Sequence, residues 1–137
     1  MEDLTKPASS QKLPKHERLN SKKIIEELFQ KGSSAFLYPF RIHYLPASQT
    51  EPVSYPQVLF SVSKRNFKRA VDRNLLKRRM KEAYRKNKST LMTAQPEGQR
   101  LAYIAIVYIA KEKISFEIIE KKLIVAWRRL VNNQNSV

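Results

Sequence analysis

Apolar residues recur at intervals of three and four in three segments, which is the spacing of an amphipathic helix. The first segment follows Asn20, a candidate N-cap, and ends before Gly32, a suitable residue just beyond a helix C-terminus. The second runs from about Ala70 to Lys88, and the third begins after Ser115, another candidate cap. The predicted apolar sides are Ile24, Ile25, Leu28 and Phe29 in the first helix, Leu76, Met80, Ala83 and Tyr84 in the second, and Phe116, Ile119, Leu123, Ala126, Trp127 and Leu130 in the third.

Alternation of period two, the pattern of a strand, occurs from Ala35 to Leu45 and from about Gln57 to Ser63. Three prolines, at positions 46, 52 and 56, mark a connection between these two stretches. The run from Leu101 to Ala110 is apolar on both faces, which suits a central strand. A polar linker is predicted from Ser89 to Gln99. Helix, strands, helix, strand and helix in this order predict an α/β two-layer sandwich.

Length and patterning predict a single folded domain between two less ordered ends. Residues 1–15 are polar and hold two prolines, so we expect a flexible tail. Residues 16–131 form the predicted domain, and residues 132–137, NNQNSV, are expected to fray.

The charge of the chain narrows the classes of partner. A net charge of +15 and a pI near 10.2 favour a polyanion, and nucleic acid is the commonest one. The chain has no cysteine, no apolar signal segment near its start and no apolar run long enough to span a bilayer. We therefore expect a cytoplasmic nucleic-acid-binding protein that does not associate with membranes.

The positive charge is concentrated in the second predicted helix and the residues just before it. Between Lys64 and Lys88, twelve of twenty-five residues are Lys or Arg. Because apolar residues recur at helical spacing within this stretch, it is expected to fold rather than remain a solvated tail. Lys77, Lys81, Arg85 and Lys88 then form a row along the other side, about one turn (~5.4 Å) apart. That spacing is close to the separation of successive phosphates.

The sequence holds no recognisable catalytic or metal-binding constellation. His16 and His43 are the two histidines, and no phosphate-binding glycine loop is present. Glu117 and Glu120 share a side of the last helix, but Lys121 and Lys122 flank them, which is typical of a solvated face. No residue of this chain is therefore predicted to be catalytic or to bind a metal.

The basic stretch also carries a specific resemblance. Its motif consists of Ser61-Val62-Ser63-Lys64, Ala70-Val71, Arg73-Asn74, Lys77-Arg78, Lys81-Glu82 and Arg85. This motif closely resembles the signature of the bacterial ribonuclease P protein subunit. The upstream segments Glu17-Arg18-Leu19 and Leu28–Gly32 look like the first helix of that family, and the likeness spans about residues 15–131.

The resemblance implies a fold and an activity. The fold would be an α+β sandwich of order αβββαβα with a four-stranded mixed sheet, like the second domain of ribosomal protein S5. The protein would be a subunit of an endoribonuclease that removes the 5′ leader from precursor tRNA, with catalysis by the RNA subunit and Mg²⁺ held by that RNA. Its partners would be the ribonuclease P RNA and the single-stranded leader, with no obligate protein partner.

The resemblance, together with the charge pattern, assigns two sets of site residues. The surface for the catalytic RNA would comprise Lys64, Arg65, Arg73, Asn74, Lys77, Arg78, Lys81 and Arg85. A cleft for the leader would comprise Ile25, Phe29, His43 and Ser61, with stacking expected mainly on Phe29 and His43.

Two positions depart from the family pattern. Its Arg-Asn-Arg triplet reads Arg73-Asn74-Leu75 here, so Arg79 or Arg69 would have to replace one cation. Its turn with a Gly-Asn pair is replaced by the glycine-free residues 65–69, RNFKR.

Two other classes of function share the charge and size. One is a ribosomal protein or ribosome-assembly module that binds RNA without substrate turnover. The other is a DNA-binding protein that places the basic helix in the major groove.

Overall fold

The computed structural model describes residues 14–46, 56–93 and 101–135, and the predicted order αβββαβα is confirmed there. The elements are a 3₁₀ turn (Lys15–Glu17), α1 (Lys22–Lys31), β1 (Ser33–Leu37), β2 (Phe40–Pro46), β3 (Gln57–Val62), α2 (Ala70–Thr93), β4 (Leu101–Tyr108) and α3 (Phe116–Asn135). Residues 1–13 of the tail predicted for residues 1–15 lie outside the described residues. None of the described helices combines the length and the apolar character needed to cross a membrane.

The four strands form one mixed sheet in the order β1-β2-β4-β3. β1 pairs with β2, and β2 with β4, in antiparallel fashion, whereas β3 and β4 are parallel. Antiparallel strands can be joined by a tight turn, but parallel neighbours need a long crossover. Here α2 lies in that crossover, so the basic helix is held against the sheet that it connects.

The stretch from Ala35 to Leu45 is a hairpin rather than one strand. The chain reverses at Tyr38 and Pro39, which are joined by a cis peptide bond, and Leu37 pairs with Phe40 across the turn. Because residues on both sides of the reversal keep the alternation, period two alone does not reveal where one strand ends.

The main core lies between one face of the sheet and the helices α2 and α3. Every apolar residue predicted for the second helix is fully buried, and so are most of those predicted for the third. Trp127 is a packing residue, with its ring centroid 5.4 Å from that of Tyr84. The sheet contributes Phe40, Ile42, Tyr44, Val58, Phe60, Val62, Ile104, Ile106 and Tyr108.

Helix α1 covers part of the opposite face of the sheet. Leu28 packs there with Leu19 and with Ala105 of β4, while Ile24 and Ile25 are half-buried around them. Beyond the helix this second face is less buried than the core face, with Ser61 and Val107 half-buried and Arg41 exposed.

The N-terminus of α1 differs from the sequence prediction, whereas its end before Gly32 is confirmed. Ser21, not Asn20, caps the helix, and its Oγ accepts a hydrogen bond from the Ile24 N–H at 3.4 Å. Gly32 does follow the helix, but its φ of −72° is ordinary. A glycine is needed there because a Cβ atom would collide with the Leu28 carbonyl oxygen and would also lie 3.0 Å from the Tyr44 carbonyl oxygen of β2.

The two long helices extend beyond their predicted ends. α2 continues to Thr93, so the predicted linker from Ser89 is helical over its first five residues, and residues 94–100 lie outside the described ranges. Leu91 in this added turn is 2% exposed. α3 continues to Asn135, through most of the segment expected to fray from residue 132.

Candidate nucleic-acid interface

Helix α2 presents cations on the side turned away from the core. Asn74, Arg78 and Lys81 are exposed, and Lys77 is half-buried. The helix buries its apolar side against β3 and α3, so these groups point away from the sheet. The predicted amphipathic arrangement of this helix is therefore confirmed.

Arg73, at the start of α2, is bound to the protein's own backbone. Its Nη1 donates hydrogen bonds to the carbonyl oxygens of Phe67 and Lys68, both at 2.8 Å. These bonds fasten the connection between β3 and α2. Contact of Arg73 with RNA stays a prediction. The structure shows in addition that Arg73 holds this connection in place.

Two of the four members of the predicted cationic row are paired with acids. The Arg85 guanidinium donates two hydrogen bonds to Glu82, at 3.0 and 2.7 Å. The Lys88 Nζ lies 2.7 Å from Oε1 of Glu17, before α1. The row therefore carries less unpaired charge than its sequence indicates.

The two candidate replacements for the cation missing at Leu75 differ in how far the protein itself engages them. Leu75 is half-buried, and Arg79 donates to the Ile114 carbonyl oxygen at 2.7 Å, which ties α2 to the segment before α3. Arg69, by contrast, is exposed.

The glycine-free connection after β3 is ordered by side chains. The Arg65 N–H donates to Ser63 Oγ at 3.1 Å, and the Asn66 side chain donates to the Ile109 carbonyl oxygen at 3.2 Å. Phe67 is buried beneath the connection. No non-glycine residue of the described ranges has a positive φ, so this turn does not require glycine. Lys64 and Arg65 are exposed on it.

A third cation, Arg18, which the sequence analysis did not assign to the surface for RNA, lies near Lys77 and Lys81. The pKa of Lys81 is held below its ordinary value, first by desolvation and then by repulsion from Lys77 and Arg18. Arg18 precedes α1 and is far from α2 in sequence, so no local pattern could connect them.

The predicted cleft residues Phe29 and His43 are in contact. Their ring centroids are 4.5 Å apart and the ring planes meet at 58°. Phe29 is 42% exposed, and His43 is half-buried on β2. The pKa of His43 is lowered by burial and, to a smaller extent, by the charge of Arg41. The two rings therefore form an aromatic pair between α1 and β2, on the face of the sheet opposite α2.

The other two predicted cleft residues, Ile25 and Ser61, are not part of the aromatic pair. Ile25 packs into the small cluster beneath α1, so its side chain is mainly structural. Ser61 lies on the same face of the sheet as His43 but one row further along. His43 is aligned with Ala105, whereas Ser61 is aligned with Val107.

The row that contains Ser61 includes two residues that sequence reasoning missed. Arg41 pairs with Val107 on one side and with Phe36 on the other. Both Arg41 and Phe36 are exposed, Phe36 by 59%. Alternation along β2 already puts Arg41 on the same face as His43, but only the strand register places Phe36 of β1 beside Arg41.

Within the described part of the chain, no group of three or more His, Asp or Glu side chains is arranged to hold a metal ion.

Comparison of the sequence with known families and proteins gives consistent matches. The sequence model of the family described as Ribonuclease P matches residues 13–131. The ribonuclease P protein component of Porphyromonas gingivalis is 36% identical over 121 residues, which cover 88% of each chain. That of Chlorobium phaeobacteroides is 37% identical over 130 residues, with 88% of this chain and 86% of the relative covered.

Solved structures with the same fold carry the same description. The RNase P protein from Thermotoga maritima superposes with a TM-score of 0.65 at 23% identity, covering 82% of this chain and 96% of that one. The Staphylococcus aureus RNase P protein gives a TM-score of 0.62 at 20% identity, covering 88% and 96% of the two chains.

Proposed function

The chain belongs to the ribonuclease P protein family, and from that premise we propose that it binds the catalytic RNA through α2 and the single-stranded 5′ leader of precursor tRNA through the cleft beside α1. It is a protein component of the endoribonuclease that processes the 5′ end of tRNA. The observation that carries the two-surface proposal is the contact between exposed Phe29 and half-buried His43 on the face of the sheet opposite α2.

The surface for the catalytic RNA is the outer side of α2 and the connection before it. Lys64, Arg65, Lys77, Arg78 and Lys81 supply charge for phosphates, which provide most of the affinity of a protein for RNA. Exposed Asn74 offers both a donor and an acceptor to a base edge or a 2′-hydroxyl. Arg73 and Arg85 contribute with the nitrogen atoms that their internal hydrogen bonds leave available.

The cleft serves the leader because unpaired bases have exposed π-faces. Stacking on Phe29 and His43 is worth roughly 1–3 kcal/mol per base. Ser61 offers a hydroxyl one row further along the sheet, and Ile25 supports the helix that carries Phe29.

Catalysis, in this proposal, belongs to the RNA subunit. Mg²⁺ bound by that RNA would supply the activated water and stabilise the leaving oxygen. The protein's residues position the substrate and screen the charge of two RNA molecules that would otherwise repel one another.

Reconstitution tests the proposal directly. The full chain is added to a bacterial ribonuclease P RNA and a precursor tRNA at low Mg²⁺, and leader removal is followed over time. We expect the protein to raise the cleavage rate. An RNA-binding module of the ribosome would bind without this gain, and a protein that prefers duplex DNA in competition would contradict the assignment to RNA.

Replacing Phe29 tests the cleft. We expect Phe29→Ala to weaken binding of precursor tRNA to the holoenzyme by about 1–3 kcal/mol, while binding of mature tRNA, which has no leader, stays unchanged. Ile118→Ala, at an exposed apolar residue of α3, is the matched control and should change neither affinity. An equal loss for both tRNAs would show that Phe29 does not contact the leader.

A further inference from the structure

Glu17 is the single charged side chain that is buried among the described residues. It is 3% exposed, and its Oε1 atom lies 2.7 Å from Lys88 Nζ. His16 Nε2 lies 3.6 Å from the other carboxylate oxygen. A carboxylate is rarely buried unless it is paired, because desolvation of its charge is costly. This ion pair joins the segment before α1 to the later part of α2.

The same segment is also attached to the edge of the sheet. The Leu19 N–H donates to the Val58 carbonyl oxygen at 3.1 Å, and Arg18 forms an isolated parallel bridge with Val58 of β3. Arg18 therefore lies between two anchored neighbours, with Glu17 attached to α2 on one side and Leu19 attached to β3 on the other. Its backbone position is set although it lies outside any helix or strand.

The side chain of Arg18 adds a third cation to the neighbourhood of Lys77 and Lys81. Lys77 and Lys81 lie one turn apart on α2, and the Glu17–Lys88 ion pair places the segment that carries Arg18 against the same helix, about two turns beyond Lys81. Repulsion from Lys77 and Arg18, which adds to desolvation in lowering the pKa of Lys81, agrees with this placement. Arg18 and Lys81 are both exposed. No ion pair in the described ranges joins any of the three to a carboxylate, and the adjacent acid, Glu17, is engaged with Lys88.

We propose that Arg18, Lys77 and Lys81 form a binding site for a backbone phosphate of RNA, and that the Glu17–Lys88 ion pair positions Arg18 in that site. The inference rests on the proposed function, in which α2 faces RNA, and extends that surface onto the segment before α1. The planar guanidinium of Arg18 suits a phosphate because it can donate two parallel hydrogen bonds. A bound phosphate also relieves the mutual repulsion of three crowded cations.

The first test measures affinity and its salt dependence for a bacterial ribonuclease P RNA and, separately, for precursor tRNA. We expect Arg18→Ala to weaken binding to one of these RNAs about tenfold, the loss of one charge-assisted hydrogen-bonded contact. The slope of log K against log salt should become shallower by about 0.7–0.9. The RNA that shows both changes is the one whose phosphate occupies the site.

Arg128→Ala is the matched control, since it removes one exposed Arg of α3 and lowers the net charge equally. It should leave the slope unchanged. If Arg18→Ala and Arg128→Ala behave alike toward both RNAs, the site does not exist. If the unchanged protein neither binds these RNAs nor promotes cleavage, the proposed function itself fails, which is a distinguishable result.

The second test separates positioning from simple charge. Glu17→Gln raises the net charge by one, so charge alone predicts tighter RNA binding, whereas loss of the positioning ion pair predicts weaker binding and a shallower slope. The double variant Glu17→Gln/Lys88→Gln keeps the net charge constant and removes both charges of the ion pair. It should reproduce the loss, with retained folding checked by circular dichroism.

A double-mutant cycle completes the test. In the Arg18→Ala background, Glu17→Gln/Lys88→Gln should cause no further loss of RNA affinity, since the residue that it positions is already absent. A full additional loss in that background, or tighter binding by Glu17→Gln alone, would overturn the positioning role.

Discussion

Individual cations of this protein differ in how much of their charge is available to a partner. Arg73 binds two backbone carbonyl oxygens, Arg85 binds Glu82, and Lys88 binds Glu17. Arg78 is exposed, and no hydrogen bond or ion pair engages it in the described ranges. Counting Lys and Arg residues treats these groups as equal, whereas their hydrogen bonds and ion pairs show that they differ in the charge available to a partner.

The contrast between Arg73 and Arg78 leads to a prediction about stability. Arg73→Ala should lower the free energy of unfolding by about 1.5–3 kcal/mol, because it removes hydrogen bonds from a charged donor to two carbonyl groups. Arg78→Ala should change it by less than about 0.5 kcal/mol. Urea denaturation of both variants makes the comparison. Equal stabilities would mean that the bonds of Arg73 do not hold the connection before α2.

His43 leads to a prediction about pH. Burial first, and repulsion by Arg41 second, lower its pKa in the folded protein, so the unfolded chain binds the proton more readily. Its contribution to stability is therefore complete above the ordinary value of 6.5 and is lost as the pH falls through the lowered folded value. An NMR titration of the imidazole should show a midpoint below 6.5.

Arg41→Ala provides the control for that titration. It should move the His43 midpoint upward without restoring the ordinary pKa, because burial remains. A midpoint at or above 6.5 in the unchanged protein would contradict the assigned environment of His43.

At the scale of elements, α2 shows how packing extends a helix beyond its local pattern. Its last turns contain Asn87, Ser89 and Thr90, which are weak helix formers. The Asn87 side chain nevertheless donates to Ala83 O and to Glu120 Oε2 of α3, both at 2.8 Å, and Leu91 is buried. Tertiary contacts of this kind supply most of the stability of helices in proteins.

Leu91 tests where the helix ends. Leu91→Ala should lower the free energy of unfolding by about 2–5 kcal/mol, since it removes a fully packed side chain. The exposed neighbour Thr90→Ala should cost less than about 1 kcal/mol. Thermal or urea denaturation distinguishes the two, and a neutral Leu91→Ala would place residue 91 in the polar linker that the pattern predicted.

At the scale of the whole molecule, the sheet separates the two proposed RNA surfaces. α2 packs on the face that carries Phe60 and Ile106, whereas the Phe29–His43 pair lies over the other face. A rigid sheet between them holds the two surfaces at a set relative orientation. This arrangement suits a protein that contacts one RNA while presenting a segment of another.

Separation of the surfaces predicts additive effects. Phe29→Ala and Lys77→Ala share no partner, so their effects on binding of precursor tRNA by the reconstituted holoenzyme should add to within about 0.5 kcal/mol. A double-mutant cycle measures the coupling. A coupling well above that value would show that the two surfaces act on the same part of the RNA.

Local periodicity, charge and a long motif were sufficient for the three helices, the regions that hold the strands, the buried sides of α2 and α3, the basic side of α2 and the family. These features depend on residues that are close in sequence, where helix and strand geometry alone decides which side chains share a face. Resemblance to the family predicted Phe29 and His43 as cleft residues, and the structure shows that their rings are in contact.

Tertiary structure alone decided which distant residues meet. The hairpin at Pro39, the alignment of Ser61 with Val107 rather than with the row of His43, the pairing of Glu17 with Lys88 and the last turns of α2 all depend on contacts between separate segments. Such contacts are selected by the packing of whole elements against one another, and a local pattern contains no information about that packing. The sequence therefore determined where the positive charge is concentrated, and the fold decided which of those charges are engaged within the protein.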